Sequence, residues 1–225
     1  MAYVLGLIFA DGHLEDAHYL RGKYLRISSS DIEILEKDRA VLASEHKIVK
    51  IAPKLASGCG KNKDKKYLCR TKYLLRIGDH KIYNSLVKLG VTPKKSLTLK
   101  FPTVPVKYMR DFVRGYFDGD GSVFIDDKKK RLLVVFCCGS YGYLENLSES
   151  LAKLAQVKKQ RVIKGNRSFQ IKYSTLEAIK LYKFMYNTEA ALFLERKYQV
   201  FQRFIKSFVP MLPKIKPLCR AYVEM

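Results

Sequence analysis

The sequence predicts an α+β protein built from two pseudo-symmetric αββαββα repeats in one chain. Three observations carry this. An apolar stretch ending in aspartate and glycine occurs twice, as YVLGLIFADG (Tyr3–Gly12) and FVRGYFDGDG (Phe112–Gly121), so that Gly6 and Gly115, and Asp11 and Asp120, lie 109 residues apart. The same offset lays LRISSSDIEILEKDRAVLA (Leu25–Ala43) over VVFCCGSYGYLENLSESLA (Val134–Ala152) without a gap. An offset of 96 then lays YLLRIGDHKIYNSL (Tyr73–Leu86) over FQIKYSTLEAIKLY (Phe169–Tyr182).

Each copy opens with the apolar helix. A hairpin follows: HLEDAHYL with KYLRISS around Arg21–Gly22 in the first copy, and VFIDD with RLLVVFCC around Lys128–Lys130 in the second. Asp31 and Ser140 occupy equivalent positions and are good caps for the next helix. The third helix starts at Asp79 in the first copy. In the second, Ser174 with Glu177 has the spacing of a capping box. The shorter offset leaves an insert in the first copy, ASGCGKNKDKK (Ala56–Lys66), whose Gly, Asn and Lys predict a flexible loop. The expected domains are residues 1–100 and 101–225. They are joined by Gly90–Tyr108, a linker with three prolines.

At 225 residues the chain can bury a proper core, and 48% of its residues are hydrophobic. Its net charge of +22 is costly unless a polyanion offsets it. Nucleic acid is the first candidate and an anionic membrane the second. The membrane reading weakens because no apolar run reaches the length of a transmembrane helix. No basic region precedes the apolar start, and Asp11 interrupts it, so a signal peptide is not expected. Cys59, Cys69, Cys137, Cys138 and Cys219 form no C-x-x-C pair, and the four histidines are scattered. A disulfide framework or zinc site is therefore not expected, and the protein reads as intracellular, not secreted.

Small residues spaced four apart, Gly6–Ala10 and Gly115–Gly119, let helix backbones approach closely. Packing one pair against the other would bring Asp11 and Asp120 together. An aspartate at a helix C-terminus is disfavoured by the macrodipole, and two such carboxylates repel, so one pKa should rise. Gly12 and Gly121 suit the left-handed position that terminates a helix. A divalent cation would relieve the repulsion. Oxygen ligands with room for water and phosphate suit Mg²⁺, and metal-assisted phosphodiester hydrolysis is the reaction such a site serves.

VLGLIFADG (Val4–Gly12) and VRGYFDGDG (Val113–Gly121) resemble the LAGLIDADG motif of homing endonucleases. Phe9 replaces the first acidic residue of the motif, whereas Asp118 keeps it. LGVTPKKSLTLKFPTVP and LERKYQVF extend the resemblance to the single-chain, two-motif members. The resemblance implies antiparallel sheets forming a DNA-binding saddle, with the repeats packed through the motif helices. It also implies Mg²⁺-dependent double-strand cleavage of a long, pseudo-palindromic or asymmetric site, leaving 3′ overhangs. Mn²⁺ is expected to substitute, and Ca²⁺ to bind without cleavage. Asp11 and Asp120 then take the metal, assisted by the carbonyls of Ala10 and Gly119. Asp118 keeps a structural or supporting role. Lys95 and Lys197 are the catalytic lysine candidates, with their neighbours Lys94 and Arg196 as alternatives. Ser29 and Cys138, just after the second strands, are the candidates for an additional polar group.

Strand alternation puts Lys66, Arg70, Lys72 and Arg76 of KYLCRTKYLLRI (Lys66–Ile77) on one face. Tyr67, Tyr73, Leu75 and Ile77 lie on the other. From Lys47 to Arg76 there are ten Lys or Arg and one acid; from Lys158 to Lys183 there are eight and one acid. The expected DNA contacts are Arg26, Lys61, Lys63, Lys66, Arg70, Lys72 and Arg76 in the first copy, and Arg161, Gln170 and Lys172 in the second. A β-ribbon entering the major groove can carry them. Two other readings use the same fold: an RNA maturase acting on its own intron, and a DNA-binding regulator without cleavage. The protein is expected to be a monomer, encoded by an intron or a free-standing gene. It would act in a bacterial or archaeal cytoplasm or in an organelle.

Overall fold

The structure is a computed structural model describing residues 1–17, 22–57, 66–93, 95–186 and 192–208. The chain divides into two compact units. One holds Asp11–Lys94 with Met1; the other holds Ala2–Ala10 and the chain from Lys95 onward. Compactness therefore assigns the first helix to the unit of the second repeat, and the sequence repeat and the packing unit differ at that helix.

In the first unit, β1 (Gly12–Ala17), β2 (Gly22–Ser29), β3 (Ile48–Ile51) and β6 (Lys72–Gly78) form an antiparallel sheet in the order β1-β2-β6-β3. Leu14, Leu25, Ile27, Leu75 and Ile77 are buried on one face, under α2 (Ile32–Val41) and α3 (His80–Lys88). This is the period-two pattern of a sheet with one covered face. A separate ribbon pairs β4 (Leu55–Ser57) with β5 (Lys66–Leu68). The expected continuous strand over Lys66–Ile77 is thus broken. Cys69 N–H bonds back to Lys54 O at 2.9 Å and keeps the chain with β4. Pairing with β2 and β3 begins only at Lys72. The loop predicted over Ala56–Lys66 is bounded by this ribbon, and its residues 58–65 lie outside the described ones.

The second unit repeats the sheet. β7 (Ser122–Asp126), β8 (Arg131–Cys138), β9 (Ile163–Lys164) and β10 (Phe169–Ser174) run in the order β7-β8-β10-β9. The registers match across the copies: His13↔Arg26↔Arg76 corresponds to Ser122↔Val135↔Lys172. Both sequence offsets are therefore offsets of structure. α5 (Tyr141–Leu154) and α6 (Thr175–Met185) pack against this sheet. α7 (Glu195–Phe208) is an added helix that contacts β7. Among the described residues no helix is long and apolar enough to cross a membrane.

Two caps form as expected and two do not. Asp79 Oδ1 accepts from Ile82 N–H at 2.7 Å, and Ser140 Oγ from Tyr143 N–H at 3.4 Å. Asp31 makes no side-chain cap; instead its N–H donates to Ser29 Oγ. Ser174 makes none either, and the Glu177 carboxylate accepts from Lys158 N–H and Lys180 rather than from the helix start. A longer-range partner has overridden the local motif.

The centre of the second unit is the crossing of α1 (Ala2–Asp11) with α4 (Val106–Asp120), made through the Ala2–Ala10 part of α1. A Cβ on Gly6 would stand 2.0 Å from Phe112 O, and one on Gly115 1.9 Å from Tyr3 O. The two backbones touch, so only glycine fits at either position. Beside the crossing, Phe9 packs edge-on against Phe112 at 5.4 Å. That explains the apolar residue where the motif usually carries an acid. Its counterpart Asp118 is 3% exposed and accepts from Tyr3 Oη and Leu194 N–H, both at 2.8 Å.

We expect Gly115→Ala to cost at least about 3 kcal/mol, since overpacking against rigid backbone exceeds the usual range for a yielding core. Urea denaturation of the variant against wild type measures this.

Candidate active site and nucleic-acid interface

α1 ends at Asp11 and α4 at Asp120, and each chain passes directly into a strand. Neither Gly12 nor Gly121 takes a positive φ. Gly121 has φ −81° and ψ 162°, and it is required for space: a Cβ there would stand 2.5 Å from Phe117 O. The expected left-handed cap is therefore absent, because the chain must leave the helix extended to start β7.

Lysines take over the capping. Lys197, from the first turn of α7, is 4% exposed. Its Nζ donates to Phe117 O at 2.6 Å, Asp118 O at 2.8 Å and Gly121 O at 2.6 Å. An ammonium has three N–H donors, and three carbonyls at the end of α4 accept them. Lys95 sits in a short 3₁₀ turn, Lys95–Leu97, and is 7% exposed. Its Nζ donates to Ala10 O at 2.9 Å, at the end of α1. Each ammonium sits at the negative pole of a motif helix. The protons of Lys197 hold the helix end, and its charge acts on the Asp120 carboxyl. The Ala10 carbonyl expected to assist a metal is the one Lys95 binds. Gly119 is half-buried in the last turn of α4.

Asp120 is exposed at the residue level, yet burial of its carboxyl raises its pKa above the ordinary value. Lys95 and then Lys197 oppose that rise. The rise is thus chiefly desolvation, where repulsion between carboxylates was expected. Asp118 is also raised, first by burial, against the pull of Lys197, Tyr3, Leu194 and Arg114. A carboxyl raised in the folded state stabilises most below the ordinary aspartate value. That contribution is lost as pH rises through the raised value.

In the first unit, Asp11 lines a pocket of about 360 Å³ with His13, Arg26, Ser28, Ile51, Lys72 and Leu74. Arg26 and Lys72 bring positive charge to it, which suits a phosphate backbone. Ser28 and Cys137 are equivalent positions on β2 and β8. Ser28 faces this pocket. Cys137 is near enough to Asp120, Lys172 and Lys197 for their charges to act on its pKa, which burial raises. The candidates Ser29 and Cys138 are one residue off this face. Ser29 Oγ accepts from Asp31 N–H, and Cys138 Sγ from Ser140 N–H. Counting alternation from Arg26 would have selected Ser28. His13 has the same parity across the β1–β2 ladder.

The predicted DNA contacts divide by position. Lys72 and Arg76 share the uncovered face of β6, and Arg26 lies across from Arg76 on β2. Arg26 and Arg76 both pair with Glu15. Lys66 is exposed on the separate ribbon, and Arg70 is exposed in the break before β6. Lys61 and Lys63 lie outside the described residues. In the second copy, Lys172 is exposed and Gln170 half-buried on β10, while Arg161 is exposed before β9.

Residues 107–185 match the family described as the LAGLIDADG-like domain. Among curated proteins, none matches the sequence. The homing endonuclease I-WcaI bound to its DNA recognition sequence is similar in structure at TM-score 0.59 and 14% identity, over 88% of this chain and 84% of that one. I-DmoI in complex with DNA and Ca gives 0.57 and 15%, over 89% and 96%. The N-terminal LAGLIDADG domain of DUF199/WhiA gives 0.51 and 14%, over 90% and 85%. At such identities the likeness establishes the fold. The family match covers the second motif and most of its repeat, and the structural likeness extends the same fold over the chain as a whole.

We expect the Asp120 carboxyl of the metal-free protein to titrate above an exposed aspartate. Lys95→Met should move it further upward, since the lysine charge lowers it. Carbon-13 NMR titration reads both shifts; an unmoved midpoint would show that the Lys95 charge does not reach Asp120.

Proposed function

We propose that the protein is a site-specific homing endonuclease that makes a double-strand break in a long DNA target. The observation that carries this is the construction of the two motif helices. Each ends in an aspartate, and each C-terminus is held by a buried lysine from a later segment. A helix end so strongly tied, with a partly desolvated carboxylate left at its tip, is costly for a protein that only binds.

The donor set fits a hard divalent cation. Asp11 in one unit and Asp120 in the other each offer carboxylate oxygens at the end of a motif helix. One or two carboxylates, completed by water and phosphate, is the habit of Mg²⁺ rather than of zinc. I-DmoI is described in complex with DNA and Mn, and with DNA and Ca, so divalent ions accompany DNA in this fold. Bound there, Mg²⁺ would supply an activated water and a Lewis acid for phosphodiester hydrolysis.

The protein's own residues do the rest. Asp11 and Asp120 hold the cations. Lys95 and Lys197 fix the helix ends and add positive charge near phosphate, where negative charge grows during attack. Lys197 acts through its field, since its protons are engaged. Arg26 and Lys72 contribute charge beside Asp11. A monomer with two non-identical halves suits an asymmetric target. Cleavage leaving 3′ overhangs, an intron or free-standing gene, and action within a cytoplasm or organelle belong to the same reading. An RNA maturase or a non-cleaving regulator would keep the basic sheets but has no use for Asp11 and Asp120.

Incubating a randomised duplex library with Mg²⁺, Mn²⁺, Ca²⁺ or EDTA and sequencing the cut ends tests this. A discrete long site cut with Mg²⁺ or Mn²⁺ alone is the expected result. Asp11→Asn or Asp120→Asn should lower double-strand cleavage at least about 100-fold while binding persists, the loss of several kcal/mol of charge stabilisation. Retained wild-type cutting in either variant would overturn the metal assignment. Tight binding with no cutting by the wild type would favour the regulator, and preference for structured intron RNA the maturase.

A further inference from the structure

The uncovered faces of the two sheets are built differently although their backbones match. In the first unit, Glu15 on β1 receives Arg76 through a fork: Nε donates to Oε2 at 3.2 Å and Nη2 to Oε1 at 3.3 Å. Arg26 on β2 approaches the same carboxylate at 3.7 Å. The Arg76 guanidinium also lies over the Tyr24 ring, with Cζ 3.5 Å from its centroid. The side chains of Glu15, Arg76 and Arg26 keep 23%, 35% and 41% of their exposure, so the cluster is fixed and still meets solvent. It carries a net charge of one positive unit.

The same positions of the second unit hold Phe124, Val135 and Lys172. Phe124 is 47% exposed and Val135 5%. No carboxylate stands at the place of Glu15, and Lys172 offers a point charge in place of a planar fork. Asp126 of β7 pairs instead with Arg131, at the far end of the β7–β8 ladder.

Resting on the DNA-cleaving reading above, we propose that Glu15 is a positioning residue. It holds Arg76, with Arg26 beside it, in a fixed plane for reading a G·C pair in the half-site bound by the first unit, and the second unit has no equivalent reader. Arginine meets guanine O6 and N7 through two N–H groups at its end, and a carboxylate can accept from the paired cytosine N4. A long side chain loses rotamer freedom when it binds; an arginine already clamped by a fork and a ring has lost most of it beforehand. Exposed ion pairs are worth little to stability, so the clamp is better explained by what it presents than by what it stabilises. In the second unit, the exposed apolar side chain of Phe124 suits contact with a thymine methyl.

The experiment is selection of a randomised duplex by binding in Ca²⁺, followed by sequencing of the bound fraction, for wild type, Glu15→Gln and Arg76→Lys. Thermal denaturation of each variant runs alongside. The wild type should select at least one G·C pair in one half of its site. Arg76→Lys should weaken that selection about 10-fold, within the range of a lost bidentate contact. Glu15→Gln should weaken it at the same base pair while preferences in the other half persist, even as loss of the negative charge raises affinity for non-specific duplex. If both variants keep every base preference of the wild type, Glu15 is only an ion pair of the sheet and the inference is overturned, with the endonuclease reading intact. If the wild type selects no sequence at all, the site-specific reading fails and the inference with it.

Discussion

The contact between α1 and α4 at Gly6 and Gly115 sets the rest of the second unit. Two helix backbones lie so close that a single Cβ at either position would overlap a carbonyl. Such contact fixes how far each helix can slide or rotate on the other. Phe9 against Phe112 and Tyr3 to Asp118 are then determined by the crossing, since each joins the residues that meet just beside it. The ends of the helices, and with them Asp120, inherit that placement.

Placing an aspartate at the negative end of a helix runs against the macrodipole. Lys95 and Lys197 answer this by donating to the last carbonyls of α1 and α4. Both come from segments that follow the third helix of their repeat, a 3₁₀ turn in one case and α7 in the other. The same two charges hold down the pKa of Asp120 against desolvation. Helix capping and carboxylate tuning are thus one arrangement. Arg114 strengthens it by binding Met185 O, Leu192 O and Asp111 at 2.6–2.7 Å, which ties α4 to the end of α6 and to the chain entering α7.

The sheets show how a duplicated backbone can diverge in what it presents. Identical strand order and register put Arg26 and Val135, or Glu15 and Phe124, in the same place. Their side chains make a charged, cross-linked face in one unit and a more apolar one in the other. A chain holding two such halves presents two unlike surfaces without any change of fold.

Much of this was legible in the residues. The 109- and 96-residue offsets and the twinned glycines and aspartates specify the repeat and where its motif helices end, because periodicity and steric size are local properties. Four features needed the tertiary structure. The break between β5 and β6 depends on Cys69 bonding to Lys54, a contact between strands of a separate ribbon. The extended conformation of Gly121 depends on where β7 must begin. Glu177 gives up its capping box to distant partners. The capping role of Lys197 depends on folding α7 back over α4, across 76 to 80 residues of chain. Residue type shows which groups could act, whereas only the packed chain decides which carbonyl, carboxylate or ring each one meets.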